Sequence, residues 1–187
     1  MYRLPRHAEL LRTVATYWEK DDHDCLKDDS WPGQKMGDLT FEEGQRIFRR
    51  QVPMGETNYR TFRWGKSLQV WLTDGRDFRS PNTMKDGPDK TIWGKEQKAW
   101  LFHKLKASDV AWRFIITPTP IVGPERGGKG DNHANKAHGS PGEDKAYHKF
   151  HRVKGGFLSV AVRAQAIAFR HHDVHGKVVY EYEAKAG

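Results

Sequence analysis

The run Trp18-Glu19-Lys20-Asp21-Asp22-His23-Asp24-Cys25 packs four acids, an imidazole and a thiol into eight residues. Carboxylates and neutral imidazole are the ligand types that hard and borderline divalent metals accept, so Asp22, His23 and Asp24 are candidate metal ligands. A second charged group follows at Asp74-Gly75-Arg76-Asp77-Phe78-Arg79-Ser80, and a third at Gly127-Gly128-Lys129-Gly130-Asp131-Asn132-His133-Ala134-Asn135. Arg76, Arg79 and Lys129 could neutralise phosphate oxygens through charge-assisted hydrogen bonds. Asp131 and His133 could add to a metal or substrate site. The three groups together predict phosphoryl chemistry.

Each candidate has a plainer alternative. An acidic loop is often only solvated, and Arg76 and Arg79 could simply brace neighbouring carboxylates. Cys25 beside His23 suggests a thiol nucleophile, but adjacent residues of an extended chain point apart, and a buried thiol is expected instead. His171, His172 and His175 with Asp173 resemble a ligand cluster, yet positions 171 and 172 of a strand face opposite sides. The glycines around Lys129 lack the spacing and following helix of a P-loop.

Positioning elements can be read from pattern. Leu4, Ala8, Leu11 and Ala15 recur at helical spacing, leading into an apolar stretch, residues 14–18, expected as a strand that delivers the acids at its C-terminal end. Thr40-Phe41-Glu42-Glu43 is a capping box that opens a helix to about Arg50, with Phe41, Ile47 and Phe48 inward. Tyr59 to Trp64 and Leu68 to Leu72, separated by Gly65-Lys66, read as a hairpin. Gly94 to Ala107 reads as a helix with Gln97, Trp100, Leu101, Lys104 and Leu105 on one face. It feeds Trp112 to Ile116, a buried strand by composition, which argues for a parallel pair with residues 68–72. Phe157–Val162, Ile167–His171 and Val178–Glu183 alternate as an antiparallel meander.

The 187 residues suffice for one cored domain. A formal charge of +8 suits an anionic partner. No apolar run is long enough to span a membrane, so no membrane partner is expected. The start, Met1 to Arg6, lacks the apolar core of a secretion signal. One cysteine excludes an internal disulfide.

Read in order, Tyr17-Trp18, Asp21-Asp22-His23-Asp24, Trp31-Pro32-Gly33-Gln34, residues 59–65, residues 74–80, residues 94–100, Thr117-Pro118 and Asp131-Asn132-His133-Ala134-Asn135 resemble the PhoD-like (alkaline phosphatase D) family of the calcineurin-like metallophosphoesterase superfamily. The resemblance implies an α/β/β/α sandwich. It also implies metal-assisted hydrolysis of phosphate mono- and diesters, extended by promiscuity to phosphotriesters. In the family the Asp-Asp-His motif lies at the metal centre, which carries over to Asp22 and His23. The family has an aspartate-rich segment well before that motif and a Gly-Asp-x-His-Trp motif before the final sheet, and neither has a counterpart here. The expectation is therefore a single truncated PhoD-like domain over 1–187, with residues 117–150 as a mobile loop. Its fold class is α+β or α/β: a shortened sandwich with a mixed sheet, flanking helices and a C-terminal meander.

The expected site has Asp22, His23 and Arg76 as catalytic groups and Arg79, Lys129 and His133 on the substrate. Asp22, His23, Asp24 and Asp131 hold a divalent metal, which for the family means iron, calcium, zinc or manganese. A metal-independent version uses His23 as general base. A phosphate- or nucleic-acid-binding remnant without catalysis is the alternative, and a purely structural remnant a third. Uncovered sheet edges in a shortened sandwich predict a homodimer or higher homo-oligomer.

Overall fold

A computed structural model describes residues 4–85, 87–119 and 155–186. In chain order these form α1 (Pro5–Thr13), a 3₁₀ turn (Asp22–Asp24), β1 (Lys35–Met36), β2 (Leu39–Thr40), α2 (Phe41–Gln51), β3 (Arg60–Trp64), β4 (Leu68–Leu72), α3 (Gly94–Lys106), β5 (Trp112–Ile116), β6 (Gly156–Val162), β7 (Ala166–Asp173) and β8 (Val178–Lys185). The result is a mixed α/β fold of three helices and three small sheets.

The central sheet runs β3-β4-β5, with β3 antiparallel to β4 and β4 parallel to β5. The α3 crossover between β4 and β5 makes the parallel pair possible. Phe62, Val70 and Phe114 fall in register on one face, where Leu68, Leu72 and Trp112 also gather. The C-terminal meander β6-β7-β8 meets this face: Val162 packs into the cluster, Phe169 stacks on Phe114 at 5.8 Å, and Trp112 Nε1 donates to Arg163 O at 3.2 Å.

Helix α2 begins where its local chemistry dictates. Thr40 Oγ1 accepts from the Glu43 amide at 3.2 Å, and Glu43 Oε2 accepts from the Thr40 amide at 3.0 Å. Phe41, Gly44 and Phe48 form its buried face. Gly44 lies so close to the acid turn that a Cβ there would sit 1.6 Å from the Cys25 carbonyl oxygen.

Three expectations need correction. Residues 14–18 form no strand. Tyr17 instead stacks on Phe62 at 4.0 Å, and Arg60 Nη2 donates to Trp18 O at 2.9 Å, so side chains hold this arm in place of a ladder. Ile47 is 44% exposed, because it lies about 100° around the helix from Phe48. Ile115 and Ile116 are also substantially exposed, so β5 is not the buried strand its composition suggests. The expected loop over 117–150 lies, beyond Thr119, outside the described residues.

Candidate active site

The acid turn is built by its own carboxylates. Asp21 caps the 3₁₀ turn: its Oδ1 accepts from the Asp22 amide at 2.9 Å, and Asp24 Oδ2 reaches back to the Asp21 amide at 2.9 Å. This turn geometry suits Asp, whose short side chain competes for nearby amides. Asp22 Oδ1 accepts from the His23 amide, and its Oδ2 from the amide of Asp29, both at 2.8 Å. Asp29 adopts φ 53°, which curls the following loop back over Asp22.

Behind the turn lies a buried ionic layer at the C-terminal end of β4. The Arg76 side chain is 1% exposed; its Nε donates to Asp21 Oδ1 at 2.7 Å, and its Nη2 lies 3.5 Å from Asp22 Oδ2. Asp74 Oδ1 fixes the loop by accepting from the amides of Arg76 and Asp77 at 2.7 and 2.8 Å. Lys20, 1% exposed, pairs with Asp74 Oδ2 at 3.4 Å and contacts Asp77 Oδ1. Asp77 also receives Asn58 Nδ2 and pairs with Arg49 at 3.6 Å. Removing one member of such a buried pair typically costs about 3–5 kcal/mol, because the other charge is stranded. The layer is thus a rigid backing for the turn. From the other side Gln97 of α3 brackets Asp74, accepting from its amide at 2.8 Å and donating to its carbonyl at 2.9 Å.

Burial shifts several of these groups. It pushes the Asp21 carboxyl up against the opposing pull of Arg76, and it pushes the Lys20 ammonium down against Asp74. Glu19 is raised to about 7, chiefly by burial, although the Thr73 backbone and Arg60 oppose the shift. Its buried Oε1 has no hydrogen-bond partner among the described residues.

The predicted residues divide by location. Asp22 and His23 come together with Asp28: one ligand atom from each lies within 4.8 Å of the others. His23 Nε2 is 3.5 Å from Asp28 Oδ1, and both side chains are open to solvent. Asp24 is outside this group, its Oδ2 occupied by the cap. Arg76 faces Asp21 and Asp22, while Arg79 is 5% exposed with Nη2 donating to Asn82 Oδ1 at 2.6 Å. Lys129, Asp131 and His133 lie outside the described residues. Cys25 is buried, with its thiol pushed up by burial and facing Ser30 Oγ at 3.7 Å. Both ring nitrogens of His172 are occupied, Nε2 by Ser159 Oγ at 2.8 Å and Nδ1 by Gly176 O at 3.0 Å.

Residues 5–155 match the family model described as PhoD-like phosphatase. The chain belongs to the PhoD-like phosphatase family. Alkaline phosphatase D of Bacillus subtilis (strain 168) is 31% identical over 67 residues, covering 30% of this chain and 12% of the relative. A solved structure described as "Structure of PhoD" is 20% identical, with a TM-score of 0.47, covering 55% of this chain and 24% of that one. This family member therefore spans a small part of the length of both proteins. No helix among its described residues is long and apolar enough to cross a membrane.

Sequence reasoning missed Asp28, Lys20 and Glu19. A signal for Asp28 existed: Asp28-Asp29 is a second acidic pair just ahead of the Trp31-Pro32-Gly33 breaker. None existed for Lys20, since lysine is rarely buried without an ion partner, and its partners lie more than fifty residues away.

Proposed function

We propose that this PhoD-like chain hydrolyses phosphoric esters at the acid turn, with Asp22, His23 and Asp28 as the working groups. The observation that carries this reading is the trio of ligand atoms within 4.8 Å on a solvent-facing turn with a rigid ionic backing. Two carboxylates and an imidazole suit a divalent cation, and each Asp22 oxygen that accepts an amide keeps a second lone pair. Such an ion would polarise a phosphoryl oxygen and lower the pKa of a bound water. Asp24 and Asp131 remain the further candidates for its coordination.

The chain's own groups supply the rest. Arg76 holds Asp21 and Asp22 in place from behind, a positioning role that its burial favours over direct substrate contact. Lys129 and His133 are the groups assigned to the ester's oxygens; Arg79, 5% exposed and bonded to Asn82, is like Arg76 a bracing group in this reading. His23, exposed, can serve as ligand or as proton acceptor from water. With three ligand groups gathered among the described residues, the metal site of this reading is a reduced one, and its openness suits mono-, di- and triesters alike. The family's sandwich, shortened, is the architecture this reading assumes. Trp64 is 58% exposed, Leu158 49% and Ile116 43%. These apolar side chains on the sheets favour a homodimer or higher oligomer.

The test is turnover of aryl phosphate mono-, di- and triesters by wild type and His23→Ala, with and without chelator. Wild-type turnover should fall at least tenfold in His23→Ala and on chelation, in line with the loss of a general base or ligand. Equal rates in His23→Ala and wild type would remove the acid turn from the chemistry. Salt-sensitive binding of single-stranded DNA without any turnover would instead mark a binding remnant.

A further inference from the structure

Helix α3 has two working faces. Gln97 and Leu101 are buried, and Gln97 brackets Asp74 just past the end of β4. Lys95, Lys98, Ala99 and Phe102, at i, i+3, i+4 and i+7, share the outer side, as helical spacing requires. That side does not lie against open water alone. The segment before the helix folds back beside it, tied by Ser80 donating its amide to Thr91 O at 2.7 Å and Ser80 Oγ accepting from the Thr91 amide at 3.0 Å. Gly94 donates its amide to Thr91 Oγ1 at 3.1 Å, which sets the angle between segment and helix. The groove between them is open to solvent, with a volume of about 370 Å³, and is lined by Pro88, Asp89 and Thr91 of the segment and Lys95, Lys98 and Phe102 of the helix.

We propose that this groove is a second ligand site, separate from the acid turn, which takes a small aromatic monoanion such as an aryl sulfonate or carboxylate. Its volume lies within the range of about 300–1,000 Å³ usual for small-molecule sites. Phe102 is 53% exposed, an aromatic surface available for stacking against a ring. Lys95 and Lys98 carry no hydrogen bond or ion pair among the described residues, so both ammonium groups are available to an anion. Asp89 also lines the groove, so the formal charge of its lining is +1, which a single negative charge balances. No residue of the acid turn lines the groove, and α3 itself stands between the two.

The test uses 1-naphthalenesulfonate as probe, titrated calorimetrically against the full chain, with 1-naphthalenemethanol and methanesulfonate as the ring-only and charge-only controls. Saturable binding is expected, with each control at least about tenfold weaker, the scale of one lost charge-assisted contact or ring contact. The double variant Lys95→Gln/Lys98→Gln and the single variant Phe102→Ala should each weaken the probe about tenfold. Asp89→Asn should tighten it, and His23→Ala should leave it unchanged. These side chains lie on the groove surface, and equal thermal midpoints confirm that each variant is folded. Absence of saturation at millimolar probe, equal affinity in the double lysine variant, or loss of binding in His23→Ala would each overturn the proposal.

Discussion

Replacing Gly44 by Ala tests how tightly α2 holds the acid turn. In an ordinary helix interior this change stabilises by about 0.5–1 kcal/mol, because glycine gives up more backbone freedom on folding. Here the added Cβ would lie 1.6 Å from the Cys25 carbonyl oxygen and 2.7 Å from its carbonyl carbon. Real contacts of this kind stay beyond 3.0 Å, so helix and turn must separate by about 1.4 Å. The obstacle is backbone and no rotamer change relieves it. Moreover, Cys25 is tied by its amide to Asp22 O at 3.1 Å, so the displacement passes to the residues around His23. Overpacking of this sort costs about 1–3 kcal/mol, and a rigid backbone neighbour places the change at the upper end. For a chain of this size that lowers the thermal midpoint by roughly 6–12 °C. Urea titration followed by tryptophan fluorescence would measure it, with the exposed Arg46→Ala as a control that moves the midpoint little. A Gly44→Ala protein at least as stable as wild type would refute the close approach of α2 to the turn.

Glu19 predicts a pH dependence of stability. A carboxyl whose folded value is raised from 4.5 to about 7 keeps its proton more tightly folded than unfolded, so its favourable contribution is present below pH 4.5 and is lost as pH rises through 7. Allowing for its partial exposure, about 1–2 kcal/mol should disappear over that window, and Glu19→Gln should flatten the slope between denaturant midpoints taken at pH 5 and pH 8. The exposed apolar side chains of the sheets predict self-association. Sedimentation velocity at micromolar concentration should show a dimer or larger species, and a folded monomer there would count against that assembly.

Local chemistry was the readable part of this chain. The Thr40 and Glu43 cap needs only residues three apart, and the hairpin at Gly65-Lys66 and the βαβ crossover through α3 follow from short-range pattern. The arm at 14–18 misled because its aromatic residues serve tertiary contacts, Tyr17 with Phe62 and Trp18 with the cluster around Phe48, and these leave the same pattern as a strand. At the site, the acid motif was visible, but its division of labour was not. Asp24 and Asp22 are adjacent to the same histidine, yet one serves the cap and the other faces Asp28. For Arg76 the residues allowed either contact with a substrate or bracing of neighbouring carboxylates, and Asp21 and Asp22 surround it as the second requires. Such assignments depend on which distant side chains arrive, and spacing along the chain carries no record of that.

The contact between Arg76 and Asp21 joins positions 55 residues apart. A helix cap closes a short loop and this link a long one, yet the entropic cost of closure grows slowly with length, by about 0.6 kcal/mol for each doubling. Extra residues in an exposed turn between the two positions should therefore leave the acids near the beginning in place, whereas losing the loop after β4 would take away the guanidinium that fixes them.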